Sequence, residues 1–147
     1  MDQRPNMREF STIAGLILDQ LLEHHPIRVN ISDYPVMLIM GVTDPTDKLE
    51  SGRMFKEMFG ATLQWLNEEE FVHGGGLSPR ERLRLTTKAL AVLNAVPPNL
   101  GGRSIGDSIA EAKNADAPEA RNRIATFFGD FIGSAAGSFP KSAGSGG

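Results

Sequence analysis

The chain of 147 residues contains no cysteine, one tryptophan and one tyrosine. Without cysteine there are no disulfides and no thiolate metal sites, so packing alone must hold the fold, as suits a reducing compartment. Long hydrophobic runs are also missing. The longest, at 35–42 and 127–136, fall well short of the roughly 20 residues that cross a bilayer, and no membrane span is expected. The polar start Met1-Asp2-Gln3-Arg4-Pro5 is unlike the charged n-region and apolar core of a secretion signal, which makes a cytoplasmic protein the expectation. An excess of cations is lacking too: 15 Lys and Arg stand against 18 Asp and Glu, for a net charge of −3. Affinity for nucleic acid comes mainly from cations that release phosphate counterions, so global charge gives it no support and only a local basic face can.

What is present is a 40% hydrophobic chain, enough for one ordinary core. Ile13, Leu16, Ile17, Leu21 and Leu22 recur at helical spacing between Ser11 or Thr12 as N-cap and Pro26 as stop, which predicts an amphipathic helix over 11–25. Ile27-Arg28-Val29-Asn30-Ile31 alternates as a short strand does. A short helix is expected near 36–40, and Thr43-Asp44-Pro45-Thr46-Asp47 reads as a turn capped by its own side chains. From about Arg53, Phe55, Met58, Phe59, Thr62, Leu63 and Leu66 form one stripe of a helix that should pack on the first. Residues 71–73 and 83–85 can pair across Gly74-Gly75-Gly76, and Thr86 or Thr87 can cap a helix turning Leu90, Leu93 and Val96 to the core before Pro97-Pro98. No internal repeat or heptad pattern is visible.

Thr62-Leu63-Gln64-Trp65-Leu66-Asn67-Glu68-Glu69-Glu70-Phe71-Val72 resembles the recognition-helix end and first wing strand of bacterial winged helix-turn-helix proteins. Leu83-Arg84-Leu85-Thr86-Thr87-Lys88-Ala89-Leu90 resembles the second wing strand and the helix after it. The resemblance spans about 11–96, with two departures: Glu70 stands where a glycine is common, and the long 33–52 region obscures the second helix. The fold it implies is α+β, mainly helical, with a winged-helix core, a small antiparallel sheet and a C-terminal helical extension. It would place the 53–67 helix toward the major groove of double-stranded DNA and the wing along phosphates. On chemistry, Arg80, Arg82, Arg84 and Lys88 gather positive charge near the glycine tip and can follow a phosphate backbone. Arg53, Lys56 and Gln64 can donate to phosphates or base edges. Glu57, Glu68, Glu69 and Glu81 offset these cations in part.

The C-terminal region carries a second pattern. Gly129, Gly133 and Gly137 repeat every four residues, flanked by Phe127, Phe128, Phe131 and Ile132. On a helix this makes a groove for another backbone beside an apolar face, expected to dock on the domain itself, on a second copy of the chain or on a protein partner. Boundaries are therefore expected at an N-terminal arm 1–10, a winged-helix domain 11–98, a linker 99–103, a helical extension 104–139 and a flexible tail 140–147.

Other constellations carry less. His24, His25 and His73 lack metal-ligand spacing, and Asp33, Asp44 and Asp47 suit turns better than a calcium loop. The glycine triplet lacks the Gly-Lys-Ser/Thr of a phosphate loop, and no serine or threonine has a base and an orienting acid beside it. Trp65 suits a core seam. The expectation is a non-enzymatic, homo-oligomeric DNA-binding regulator without metal or cofactor. The alternative is a winged-helix protein-interaction module in a larger complex. A small-molecule pocket between core and C-terminal region fits either, without a lining that the sequence can name.

Overall fold

The computed structural model describes residues 3–74, 76 and 78–144, with side chains through residue 136. Its elements are α1 (Pro5–His24), α2 (Tyr34–Met40), α3 (Phe55–Glu68), β1 (Val72–His73), β2 (Arg84–Leu85), α4 (Thr87–Leu93), α5 (Ile105–Ala112) and α6 (Ala117–Gly144). The fold is mainly helical with a small two-stranded antiparallel sheet, in which Val72 faces Leu85 and His73 faces Arg84.

Helix α1 is the axis of the molecule. Residues 11–19 are all buried, because α2, α3, α5, α6 and β2 pack around them. The amphipathic stripe read from the sequence is only part of what the helix hides. Nor do residues 5–10 form an arm: Pro5 opens α1 in its first turn, where a fixed φ and a missing N–H carry no penalty, and Glu9 is already buried; residues 1 and 2 lie outside the described residues.

Helix α3 buries the expected stripe, with Phe55, Phe59, Thr62, Leu63 and Leu66 inside, and packs on α1. No side chain caps its N-terminus. The preceding loop does so with its backbone, as Phe55 N–H donates to the Asp47 carbonyl at 2.9 Å and Lys56 N–H to that of Pro45 at 2.8 Å. The loop is held as the sequence suggests: Asp47 accepts from the N–H groups of Thr43 and Asp44, and Asp44 accepts from the N–H and hydroxyl of Thr46. Those Thr46 bonds, the hydroxyl's foremost, hold the Asp44 carboxyl below its ordinary range.

At the other end of α3, Phe71 N–H donates to the Leu66 carbonyl and Glu70 N–H to that of Asn67. This is the paired bonding of a Schellman motif, whose residue past the cap must be left-handed. Glu70 has φ 63°, so the place where a glycine is common in winged-helix domains needs here the conformation glycine adopts most easily. Glu70→Gly is expected to raise stability by about 1 kcal/mol, the lower end of the left-handed penalty for a residue with a Cβ. A urea titration checks this, and a loss of stability would show that the Glu70 side chain contributes more than its backbone costs.

The strand expected over 27–31 reduces to a bridge. Val29 and Leu83 exchange backbone hydrogen bonds of 3.0 and 2.8 Å, but Ile31 N–H then reaches the Arg80 carbonyl. One extra residue on the 80–83 side has been inserted, a bulge that breaks the ladder. Ile31 is buried and Ile27 exposed, so the alternation does not put all three branched residues inside. Thr86, of the two candidate caps, caps α4, accepting from Ala89 N–H at 3.2 Å. Val96, expected inside, is 56% exposed, since α4 ends at Leu93 and the Ile105 N–H claims the Ala95 carbonyl.

The largest correction concerns the C-terminal third, which is part of the core rather than an extension beyond a finished domain. Ile105, Ile109, Ala112, Ala120, Ile124, Phe128 and Phe131 belong to one buried cluster with α1, α3 and the sheet. Residues 99–103 accordingly join two parts of one core. Helices α1 and α6 approach closely at Gly15, where a Cβ would stand 2.6 Å from Ile124 Cγ2. Aromatic side chains complete the seam. Phe10 meets Trp65 and Phe128 edge-on at 5.0 and 5.5 Å, and Phe71 meets Phe131 at 4.8 Å. Trp65 is thus a half-buried residue of the seam, packed against the core at the junction. Helix α6 runs past the expected end at 139 to Gly144, which overlaps the tail assigned to 140–147; residues 145–147 lie outside the described residues.

Candidate nucleic-acid interface

The exposed face of α3 and the hairpin flank one cleft of about 580 Å³, lined on the helix side by Gly60, Gln64 and Asn67 and on the other by Gly74, Ser78 and Arg80. Residues 75 and 77, in the hairpin tip, lie outside the described residues. At its centre the helix side carries no large side chain: Gly60 is followed by Ala61, and a Cβ on Gly60 would meet nothing within 4 Å.

The structure divides the seven candidate DNA contacts into engaged and open side chains. Arg80 is half-buried, pairs with Asp33 at 3.2 Å and lies 4.5 Å from the centre of the Phe59 ring. It ties the hairpin to the start of α2 and to α3. Lys88 donates to the Glu69 carbonyl at 2.9 Å and covers the Phe71 ring, a cation at a helix C-terminus where the dipole favours it. Arg53 pairs with Glu57 at 2.9 Å and Gln64 donates to Glu68 at 3.1 Å, both on the solvent side of α3. Arg84 is half-buried, with one 3.4 Å contact to the Leu85 carbonyl. Lys56 and Arg82 are exposed, and neither side chain has a hydrogen-bond or ion-pair partner among the described residues.

Arg82 is the distinctive one. Its backbone has φ 53° and sits on the bulge, so it holds a conformation disfavoured by about 1–2 kcal/mol for a residue with a Cβ. The surroundings lock it there. Asn30 Oδ1 accepts from its N–H at 3.0 Å, and Arg28 donates to its carbonyl at 2.8 Å while also reaching the His73 carbonyl. Nothing in the sequence pattern marked Arg28 or Asn30; alternation accounts for a strand's faces but not for polar side chains that serve a neighbouring bulge.

The acidic residues are also at the surface. Glu68, Glu69 and Glu70 are exposed beside the hairpin, and Ser78 N–H takes up Glu81 at 3.0 Å.

The other expected site, on α6, is largely consumed by folding. Phe128 and Phe131 are buried, stacked at 5.5 Å from each other, and Phe127 and Ile132 pack half-buried against the core. Gly129 and Gly133 lie on the opposite face, where added Cβ atoms would meet nothing within 4 Å; the side-chain position of Gly137 lies outside the described residues. The apolar residues and the glycines thus face different ways, because the 3.6-residue period separates them by about 100° per step, and the aromatic face has its partner in this same chain. No group of three or more metal-ligating side chains is gathered among the described residues, and no described helix is long and apolar enough to cross a membrane.

Compared with protein-family models, curated proteins and solved structures, the chain gives no match.

Proposed function

We propose that this is a non-enzymatic, DNA-binding protein of winged-helix type that lays the open face of α3 and the hairpin against a duplex. The order α1, Val29 bridge, α2, α3, β1, β2 is the order such a domain requires, and it supports the resemblance in the Trp65 to Leu90 region. The observation that carries the functional reading is Arg82: a side-chain cation without a partner among the described residues, on a strained backbone that the Asn30 and Arg28 side chains hold in place. Strain of this kind concentrates where a side chain must be aimed, and a bulge is a device for aiming one. Arg82 and Arg84 contact phosphate in this reading, while Lys56 and Gln64 approach the groove from α3. Arg80 and Lys88 serve the hairpin's own structure. Regulation of transcription, in the cytoplasm of a bacterium, is the role such a module fits.

A fluorescence-anisotropy titration with random-sequence duplex tests this at several salt concentrations. Wild type should bind with an affinity that falls as salt rises. Arg82→Glu with Arg84→Glu should lower the salt slope by about 2, near 0.9 for each phosphate that is no longer neutralised. Arg82→Gly separates aim from scaffold: it should weaken binding while leaving the protein at least as stable, because glycine relieves the positive φ. Absence of salt-sensitive binding in the wild type would overturn the reading. It would favour a protein-interaction module instead, which the exposed Glu68-Glu69-Glu70 run and the near balance of charge around the cleft also suit.

A further inference from the structure

The α1 residue Glu9 has a buried carboxylate that is only half used. It is 5% exposed, its Oε2 accepts from Ser51 N–H at 2.8 Å, and its Oε1, also buried, has no hydrogen-bond partner. A buried acceptor left unmet costs on the order of 1–3 kcal/mol, and more when it is charged. Glu9 lines a cavity of about 220 Å³ between α1, the loop after α2 and α6. That volume is below the roughly 300–1,000 Å³ of sites for drug-sized ligands.

Three cations line the same cavity, and they are not equally occupied. Arg8 is neutralised by Glu50 at 2.7 Å. Arg121 has no carboxylate partner among the described residues and spends one N–H on the Ile39 carbonyl at 2.7 Å, leaving donors of its fork unspent. Lys48 is exposed, with no hydrogen-bond or ion-pair partner among the described residues. The lining therefore offers an unmet acceptor on Glu9 and uncompensated cationic donors on Arg121 and Lys48.

We propose that this cavity binds a small zwitterion of amino-acid size, its ammonium donating to Glu9 and its carboxylate received by Arg121 and Lys48. An anion alone would leave Glu9 Oε1 unmet and set a negative charge beside it. A cation alone would meet Arg121 and Lys48. Only a ligand carrying both charges answers both ends. The site stands apart from the α3 cleft and does not depend on DNA binding.

Thermal unfolding of the full chain in the presence of each standard L-amino acid at millimolar concentration tests the proposal, with the N-acetyl and amide forms of any stabilising one as charge-deleted probes. At about ten times its Kd, a bound amino acid should raise Tm by about 4–5 °C. The N-acetyl form, which cannot present an ammonium, and the amide, which lacks the carboxylate, should each lose the shift. Glu9→Gln should abolish it, and Lys48→Ala, a change at an exposed residue that leaves Glu9 and Ser51 in place, should reduce it even where Glu9→Gln fails to fold. A set of amino acids that leaves Tm unchanged, equal shifts with the N-acetyl form, or shifts that survive these substitutions would overturn the assignment.

Discussion

A chain truncated after Asn99 is expected to lose cooperative folding altogether, giving no thermal transition by circular dichroism where the full chain gives one. From the sequence alone the opposite outcome is expected, since Pro97-Pro98 and the glycines after it read as the end of a domain. The structure reverses this because of what α5 and α6 cover. Removing them strips Ile105, Ile109, Ile124, Phe128 and Phe131 from the buried cluster and uncovers the faces of α1 and α3 against which they pack, Phe10 and Trp65 included. At about 1.5–3 kcal/mol for each large side chain, the burial forgone is of the order of 10 kcal/mol. That is comparable with the whole stability of an ordinary domain, about 5–15 kcal/mol. The ordering entropy of the deleted residues is recovered, but the exposed apolar surface of α1 is not offset by anything. A truncated chain that still melts cooperatively within a few degrees of the full protein would show that 11–98 is a domain in its own right.

The second large effect is expected at Lys113. Its Nζ lies 2.6 Å from Asp19 Oδ2, and the Asp19 side chain, in the C-terminal half of α1, is only 7% exposed. Burial raises the Asp19 carboxyl above its ordinary range, outweighing the hydrogen bond and charge of Lys113 that lower it, with Glu23 adding to the rise. The sign follows from proton binding. A native state with the raised pKa keeps its proton where the unfolded chain, with a pKa of about 4, has lost it. The contribution of this group to stability is therefore greatest in acid and is lost as pH climbs through the native pKa. Lys113→Met removes both lowering influences and leaves a buried carboxylate without its partner. The cost should be about 3 kcal/mol at neutral pH, in the range found for breaking one side of a buried pair, and should narrow toward pH 5 as the native state takes up the proton. Adding Asp19→Asn should restore most of the loss, since a neutral amide needs no counter-charge. Urea titrations at pH 7 and pH 5 measure all of these. A deficit below about 0.5 kcal/mol, or one that ignores pH, would mean that solvent reaches Asp19 and screens it, as at a surface pair.

How much of the candidate interface was legible in the sequence differs residue by residue. Arg80, Arg82, Arg84 and Lys88 look alike as a run of cations near a glycine tip. Their fates separate only in space: Phe59 and Asp33 take Arg80, Phe71 and the Glu69 carbonyl take Lys88, and Arg82 alone is set on a bulge at positive φ. Glu70 was legible in part, as the residue standing where a glycine is common, but its left-handed backbone is a property of how α3 hands over to β1. Glu9 carried no sequence signal, since a glutamate in the first turns of an amphipathic helix ordinarily faces water.

The local elements were written in the order of residues. The spacing of Phe55, Phe59, Thr62 and Leu66, the capping threonine at 86, the aspartate turn at 44–47 and the hairpin across the glycines all follow from periodicities and hydrogen bonds that act within a few residues, and each is present in the fold. It took the assembled fold to enclose residues 11–19 of α1 on every side, to close the core with the aromatic face of α6 instead of offering that face to a partner, and to settle which charges are spent inside the molecule. Those outcomes depend on pairings between residues far apart in the chain, such as Gly15 with Ile124, Asp19 with Lys113 and Phe71 with Phe131. An apolar face can be read along one helix; the surface that will cover it cannot, because burial is a property of the assembled chain.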